Sequence, residues 1–213
     1  MTLLATAVLL LGTYAAAMIH GFVSGRIAVY QFDHAKSQNR AEHRTPSEPA
    51  SFSEVDFSLW SEKRVRGYTE SLSHPLAAPL ASLSMPKFKI RVAVFEGTDE
   101  LVLNRGVGWI VGTARPGQSG NSGIAGHRDG FFRALKDISL GDEIRLETMT
   151  ASMLYAVDNL EIVKPDNVSV LGKRHADSLT LVTCYPFYFV GDAPERFIVH
   201  AVRRRPDVPT ADN

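Results

Sequence analysis

This chain has one cysteine, no net charge and no grouped metal ligands, and each of these features excludes a class of structure or function. A single cysteine among 213 residues, Cys184, excludes any internal disulfide. Lys plus Arg and Asp plus Glu both number 23, so the net charge is zero and no basic stripe indicates a nucleic-acid partner. No set of His, Cys, Asp or Glu has the spacing of a metal site, so we predict neither a metal ion nor a cofactor.

Charged residues are also missing from the amino-terminal stretch Thr2–Gly25, which contains no Asp, Glu, Lys or Arg. An apolar span of about 20 residues is what a membrane-crossing helix needs, so we predict a transmembrane anchor over residues 1–24. The alternative is a cleaved signal peptide, for which Ala15–Ala17 would supply the small residues of a cleavage site. The length of the run and the absence of basic residues before it favour an uncleaved anchor.

Residues 25–78 are predicted to form a juxtamembrane linker followed by a helix. The first part is polar and irregular, which is typical of a linker. Apolar residues then recur at near-helical spacing, which predicts a helix over Ser53–Leu72 with Ser53 or Asp56 as its cap. We expect this helix to cover an apolar face of the main domain.

Short strands separated by glycine turns dominate residues 79–205, and a polar tail follows at 206–213. Alternating or continuous apolar residues predict strands at 88–94, Glu143–Thr148, Met153–Val163, Leu179–Cys184 and Phe197–Val202. Such a succession predicts a mainly β fold, a closed or nearly closed barrel. One short helix is expected at Gly130–Leu135. Hydrophobic residues make up 45% of the chain, which suits one globular domain with appendages.

Three residues carry the chemistry that the sequence suggests. Cys184 ends a buried strand, Arg196 opens the next apolar strand twelve residues later, and His127 follows the short apolar run Gly123–Gly126. A thiol nucleophile, an imidazole that moves its proton and a cation beside the carbonyl oxygen are the parts of a cysteine acyl-transfer site.

The glycine-rich run at 117–123 lacks the Gly-Lys-Ser/Thr ending of a phosphate-binding loop.

The same residues lie in motifs of a known family. The stretch T-L-V-T-C-Y-P-F with E-R-F-I-V downstream resembles the cysteine–arginine signature of sortases, and G-N-S-G-I-A-G-H-R-D resembles their histidine segment. The variants are most similar to class D sortases and to those of Gram-negative bacteria. The resemblance implies a sortase-type barrel of about eight strands, with short helices, behind an amino-terminal transmembrane helix.

The resemblance also implies a role for each site residue. Cys184 would be the nucleophile, His127 the acid that protonates the leaving amine, and Arg196 the donor to the substrate or its oxyanion. The loops Lys164–Ser178 and Tyr185–Glu195 would form the groove walls. Arg128, Arg133 and Arg174 are weaker alternatives to Arg196. The expected substrate-binding residues are Ala125, Gly126, Thr183 and Tyr185.

The expected reaction is that of a membrane-anchored cysteine transpeptidase. It would cleave a carboxy-terminal sorting signal of the Leu-Pro-x-Thr-Gly or Leu-Pro-x-Thr-Ala type after threonine. The protein would then pass through a thioacyl intermediate to an amine acceptor in the cell wall or in another protein. The resemblance implies a single-pass protein with its catalytic domain outside the cytoplasm, although the basic residues after the span predict the opposite orientation. A hydrolytic cysteine endopeptidase and a catalytically silent peptide-binding barrel remain the alternatives.

Overall fold

Eight β-strands close into a barrel in the part of the chain that this computed structural model describes, residues 55–188 and 191–204. In chain order the strands are β1 (Ala81–Met85), β2 (Ile90–Glu96), β3 (Val107–Trp109), β4 (Asn121–Ala125), β5 (Glu143–Glu147), β6 (Ser152–Val163), β7 (Ser178–Tyr185) and β8 (Glu195–Arg204). Around the barrel they follow the order β1-β2-β3-β4-β7-β8-β6-β5. The predicted mainly β barrel of about eight strands is therefore confirmed.

Strand pairing is antiparallel except at two places. The β2–β3 and β4–β7 pairs are parallel, and each needs a connection that carries the chain back across the barrel. The first of these connections contains a short helix, α2 (Glu100–Arg105), and the second contains β5 and β6. The β4–β7 pair is the one that matters for the site, because it joins the predicted histidine and cysteine segments.

The barrel interior is filled by apolar side chains that alternate along the strands. In β5, Ile144 and Leu146 are fully buried while Glu143 and Arg145 are exposed. This period of two follows from the pleat, which turns successive side chains to opposite faces. Phe132, outside the strands, is the largest fully buried side chain of the core.

The amino-terminal helix is shorter than the sequence predicts. It is α1, Glu62–Ser71, and its cap is Ser61, whose Oγ accepts a hydrogen bond from the Arg64 N–H at 3.2 Å. The prediction of a helix over Ser53–Leu72 was wrong at its start. Before the helix the chain forms a turn at 57–60, closed by a hydrogen bond from Trp60 N–H to the Phe57 carbonyl (2.9 Å).

A second predicted helix, at Gly130–Leu135, is also corrected. Residues 128–132 form turns, and a 3₁₀ helix follows at Arg133–Asp137. The Phe132 and Leu135 side chains are both fully buried, so the apolar face that motivated the prediction does meet the core. Two further 3₁₀ segments lie at Pro86–Phe88 and Val168–Leu171.

The predicted transmembrane anchor, residues 1–24, lies outside the described residues, as do the linker before residue 55 and the tail after residue 204. Within the part of the chain that the structure does describe, no helix combines the length and apolarity that crossing a bilayer requires.

Candidate active site

Cys184 and Arg196 are brought together by the pairing of β7 with β8. They are direct partners in the antiparallel register, as are Val182 and Ile198 two residues further along. Leu181 lies in the barrel core, and successive side chains along a strand point to opposite faces. Cys184 is three residues after Leu181, so its side chain lies on the outer face of the barrel. Both residues of this pair are half-buried.

His127 reaches the same place from β4. The parallel register pairs Ala125 with Val182, and the Gly126 N–H continues it by donating to the Val182 carbonyl at 3.1 Å. His127 stands two residues beyond Ala125, as Cys184 stands two residues beyond Val182. The register therefore brings residues 127 and 184 to equivalent positions at the ends of neighbouring strands.

The backbone bend before His127 is held by two contacts. The Thr183 hydroxyl, 2% exposed, donates to the Gly126 carbonyl at 2.8 Å. A Cβ atom at Gly126 would lie 2.6 Å from the Phe132 ring, so only glycine fits. In this structure Thr183 thus links the cysteine strand to the histidine loop, and its role in substrate binding stays a prediction.

The His127 ring is largely buried and surrounded by charge. Burial is the main cause that lowers its pKa to about 4, and the positive charge of Arg64 adds to that effect. The carboxylates Glu100 and Asp129 act in the opposite direction. Asp129 itself accepts hydrogen bonds from Ser61 Oγ (2.7 Å) and Arg64 Nε (3.1 Å). Burial would raise the pKa of Asp129, but these bonds and the Arg64 charge outweigh it and hold that pKa below its ordinary value.

Arg196 is anchored to the backbone of the loop that precedes it. Its Nη1 donates to the carbonyls of Ala193 (3.2 Å) and Glu195 (2.9 Å), and the described residues offer the guanidinium no other hydrogen-bond partner. The backbone of Arg196 lies opposite Cys184 in the strand register, and the other donors of the planar group are left for a ligand.

The alternative arginines have other partners. Arg174 makes a two-point ion pair with Asp158, at 3.0 and 2.7 Å, across the outer surface of β6. Arg128 donates to the carbonyls of Pro186 (2.9 Å) and Gly191 (3.0 Å), and Arg133 donates to the carbonyl of Phe187. The last two arginines therefore hold the loop between β7 and β8 against the histidine loop.

The loop between β6 and β7 packs closely against β4. A Cβ atom at Gly123 would lie 3.0 Å from Leu171, which belongs to the loop between β6 and β7. The Asn121 side chain donates to the Gly172 carbonyl at 3.0 Å and so fixes that loop over the sheet. The loop between β6 and β7 is therefore fixed over β4, and its role as a wall of the substrate groove stays a prediction.

A network of polar groups, most of them buried, joins β4, β7, β8 and β6. Thr180 Oγ1 donates to Asn121 Oδ1 (2.8 Å) and lies 3.1 Å from His200 Nδ1, while His200 Nε2 lies 2.8 Å from Glu161 Oε1. His200 is thus a structural residue of the outer face. Tyr185, the last residue of β7, stacks its ring on Phe197 with centroids 6.3 Å apart.

Sequence reasoning missed four residues around the histidine: Ser61, Arg64, Glu100 and Asp129. Asp129 lies two residues after His127 within the quoted motif, so proximity could have identified it. The other three lie on or beside α1 and α2, and nothing in their spacing predicts that they meet. Across residues 55–188 and 191–204, no three His, Cys, Asp or Glu side chains are arranged to hold a metal ion.

Comparisons with known proteins agree on one family. The profile of the sortase domain matches residues 83–204. Sortase D of Bacillus subtilis (strain 168) is 35% identical over 122 residues, which are 57% of this chain. The match spans 62% of the length of that relative.

The chain is also similar to solved structures of sortases. The Sortase D5 transpeptidase of Clostridium perfringens is 27% identical, with a TM-score of 0.55 over 70% of this chain and 91% of that one. The catalytic domain of SrtD from B. anthracis is 34% identical, with a TM-score of 0.53 over 62% of this chain and 91% of that one.

Proposed function

This chain belongs to the sortase family of cysteine transpeptidases, and we propose that it cleaves a carboxy-terminal sorting signal after threonine and transfers the substrate protein to an amine. The observation that carries the proposal is the register of three strands. It pairs Cys184 with Arg196 across β7 and β8, and pairs β7 with β4, which ends two residues before His127. No other cysteine is available as a nucleophile.

The first half of the reaction forms a thioester. The Cys184 sulfur, as thiolate, bonds to the carbonyl carbon of the threonine, and the carbon–nitrogen bond to the next residue breaks. The departing nitrogen takes a proton from His127. Because burial holds the pKa of His127 near 4, the ring is mainly neutral at pH 7 and becomes imidazolium by taking the thiol proton.

The second half releases the thioester. The amine acceptor attacks the same carbonyl carbon, gives a proton to His127, and the Cys184 thiolate leaves. Arg196 donates hydrogen bonds to the oxygen that carries negative charge in both tetrahedral intermediates. The two carbonyls of its own loop orient the guanidinium for this task.

The substrate peptide is proposed to lie extended in the groove. A signal resembling Leu-Pro-x-Thr-Gly or Leu-Pro-x-Thr-Ala would place its threonine at Cys184 and its apolar residues under the loop at 164–177. Ala125, Gly126, Thr183 and Tyr185 are the proposed lining residues nearest the scissile bond. The half-buried surfaces of Ala125 and Tyr185 support this assignment.

A peptide-cleavage assay tests the function. A fluorescence-quenched Leu-Pro-x-Thr-Gly or -Ala peptide should be cut after threonine, and added hydroxylamine should appear as a threonine hydroxamate by mass spectrometry. Release of the free acid alone, even with excess glycine or diaminopimelate amines, would assign a hydrolytic peptidase instead. Peptide binding without cleavage would assign a silent peptide-binding barrel.

We also propose a single-pass membrane anchor at residues 1–24 with the catalytic domain outside the cytoplasm. The uncharged stretch Thr2–Gly25 supports it. Alkaline phosphatase fused after Asn213 should be active, because that reporter folds only in an oxidising compartment. An inactive fusion, or a soluble product that starts near Met18, would contradict the anchor or its orientation.

A further inference from the structure

The Nε2 atom of His127 is buried and has no hydrogen-bond partner among the described residues. An unsatisfied polar atom in such a place is costly unless it meets a partner at some stage of the reaction. The nearest acidic group is the carboxylate of Glu100, whose Oε2 lies 3.6 Å away. That distance is too long for a hydrogen bond, but an approach of about half an ångström would make one.

Although the Glu100 side chain is exposed, Arg64 holds it in this position. Arg64 Nη1 donates to the other carboxylate oxygen, Oε1, at 3.2 Å. Arg64 is itself only 11% exposed, and its Nε binds Asp129 while Nη1 also contacts Asn104. One oxygen of Glu100 is thus tied to α1, and the other is turned toward the imidazole.

We propose that Glu100 is a positioning residue that acts as the counter-ion of the His127 imidazolium, and that Arg64 sets how strongly it does so. When His127 takes the thiol proton, Nε2 carries a hydrogen that Glu100 Oε2 accepts. The carboxylate orients the ring and stabilises its charge without exchanging a proton itself. This inference rests on the proposed function, because it assumes that His127 is the group that moves protons.

The charges around the ring predict the direction in which each substitution should shift the pKa of His127. Glu100 and Asp129 raise the pKa of His127, whereas burial, Arg64 and Lys63 lower it. Neutralising Glu100 should therefore lower that pKa, and neutralising Arg64 should raise it. If the pair only held the fold together and did not act on the ring, the pKa of His127 would not follow the sign of the charge removed. The charged groups that act on the ring are Lys63 and Arg64 of α1, Glu100 of α2 and Asp129 of its own loop.

The decisive measurement is the titration of His127 itself, followed by NMR in protein labelled with ¹³C-histidine and assigned with the His127→Ala variant. Glu100 is 68% exposed, so its effect on the pKa of His127 is that of a solvent-screened pair, roughly half a pH unit. We expect Glu100→Gln to move the midpoint down and Arg64→Gln to move it up by about that amount. Arg64→Lys keeps the charge and should stay near the wild type.

Glu96→Gln is the matched control. Glu96 is an exposed carboxylate paired with Arg115 at 3.5 Å, so the variant loses the same charge and one surface ion pair at a place that does not face His127. Its midpoint should not move. In the peptide assay, Glu100→Gln should reduce kcat/KM about threefold at neutral pH, and the limb of the pH profile set by His127 should shift with the NMR midpoint.

Shifts of opposite sign in Glu100→Gln and Arg64→Gln support the proposal. Unchanged midpoints, or shifts in one direction for both, overturn it. If Arg64→Gln does not fold, Glu100→Gln decides alone: an unmoved midpoint in that exposed variant refutes the counter-ion role. Full activity of His127→Ala would instead overturn the proposed function, and it would do so without changing the titration result.

Discussion

Cys184 and Arg196 are direct cross-strand partners in the antiparallel pairing of β7 and β8. Residues opposed in this way have Cβ atoms about 5 Å apart, within reach of a long side chain. The strand register therefore places Arg196 opposite Cys184 before any substrate is bound.

The nucleophile is tested first. Cys184→Ala should abolish peptide cleavage and leave the fold intact, because a half-buried thiol on the outer face contributes little packing. Thermal unfolding within about 2 °C of the wild type is the control for folding. A methanethiosulfonate reagent should add once to the native enzyme and inactivate it. Retained turnover in the alanine variant would remove the mechanism.

Arg196→Lys should lower kcat by at least tenfold, because an ammonium group cannot reproduce a planar donor that binds loop carbonyls and an oxyanion together. Arg174→Lys is the matched control, since its guanidinium is occupied by Asp158 on the surface of β6. Steady-state kinetics should find the control close to the wild type. Near-normal kcat in Arg196→Lys, with loss in Arg174→Lys, would mean that the wrong arginine is assigned.

Gly126→Ala should destabilise the protein by about 1–3 kcal/mol, because its Cβ would overlap the fully buried Phe132 ring. The same displacement would move His127 away from the thiol, so activity should fall even in the folded fraction. Gly141→Ala, where no atom lies within 4 Å but φ is +85°, carries backbone strain alone. Urea unfolding and kcat of the two variants separate the effects; equal activity in both would contradict the overlap argument.

Stability should depend on pH through His127. Its pKa falls from the ordinary 6.5 to about 4 on folding, so the unfolded chain binds more protons between these values. This stabilising contribution is complete above about pH 6.5 and is lost as the pH falls toward 4, by up to about 1.4 kcal/mol per pH unit. Urea unfolding at pH 7.5 and 5 should reveal it. His127→Asn should flatten the dependence, and an unchanged slope would contradict the lowered pKa.

The amino-terminal region should divide into a dispensable and a required part. Removing residues 1–50 should leave an active soluble barrel, because no predicted catalytic residue precedes His127. Removing residues 1–74 should cost about 2 kcal/mol or more and most of the activity. It deletes Arg64 and the aromatic contact between Trp60 and Phe131, whose centroids are 4.7 Å apart. Equal activity of the two truncations would exclude a role for α1.

The sequence predicted best where apolar residues form long runs. The strands at Leu179–Cys184 and Phe197–Val202 are buried on both faces and read as continuous apolar segments, and both are confirmed with one or two residues added at each end. Strand β1 was missed because Ser82 and Ser84 alternate with Leu83, and serines are typical of loops. In the barrel Ser82 is buried, and its hydroxyl accepts a hydrogen bond from Arg91 of the neighbouring strand.

The surroundings of the histidine could not be predicted for a different reason. Glu100 lies in a helix of six residues, too short for a periodic pattern, and 27 positions before His127 in the sequence. Arg64 is more distant still. The spacing of Phe57 and Trp60 is compatible with a longer helix, but the two residues lie in a turn. There Phe57 packs against Tyr68, and Trp60 packs against Phe131. Contacts made only by tertiary packing leave no signal in local spacing.

The parallel pairing of β4 with β7 has a consequence for how the enzyme becomes active. The hydrogen bond from Thr183 to Gly126 joins positions 57 residues apart, with β5 and β6 folded between them. Contacts of such long sequence separation form slowly, after the local hairpins. Until they form, a newly made chain carries its thiol without the imidazole, although the local β7–β8 hairpin already pairs Cys184 with Arg196. Acquisition of thiol reactivity therefore reports closure of the barrel, and the nascent protein is inert toward peptides while it is still folding.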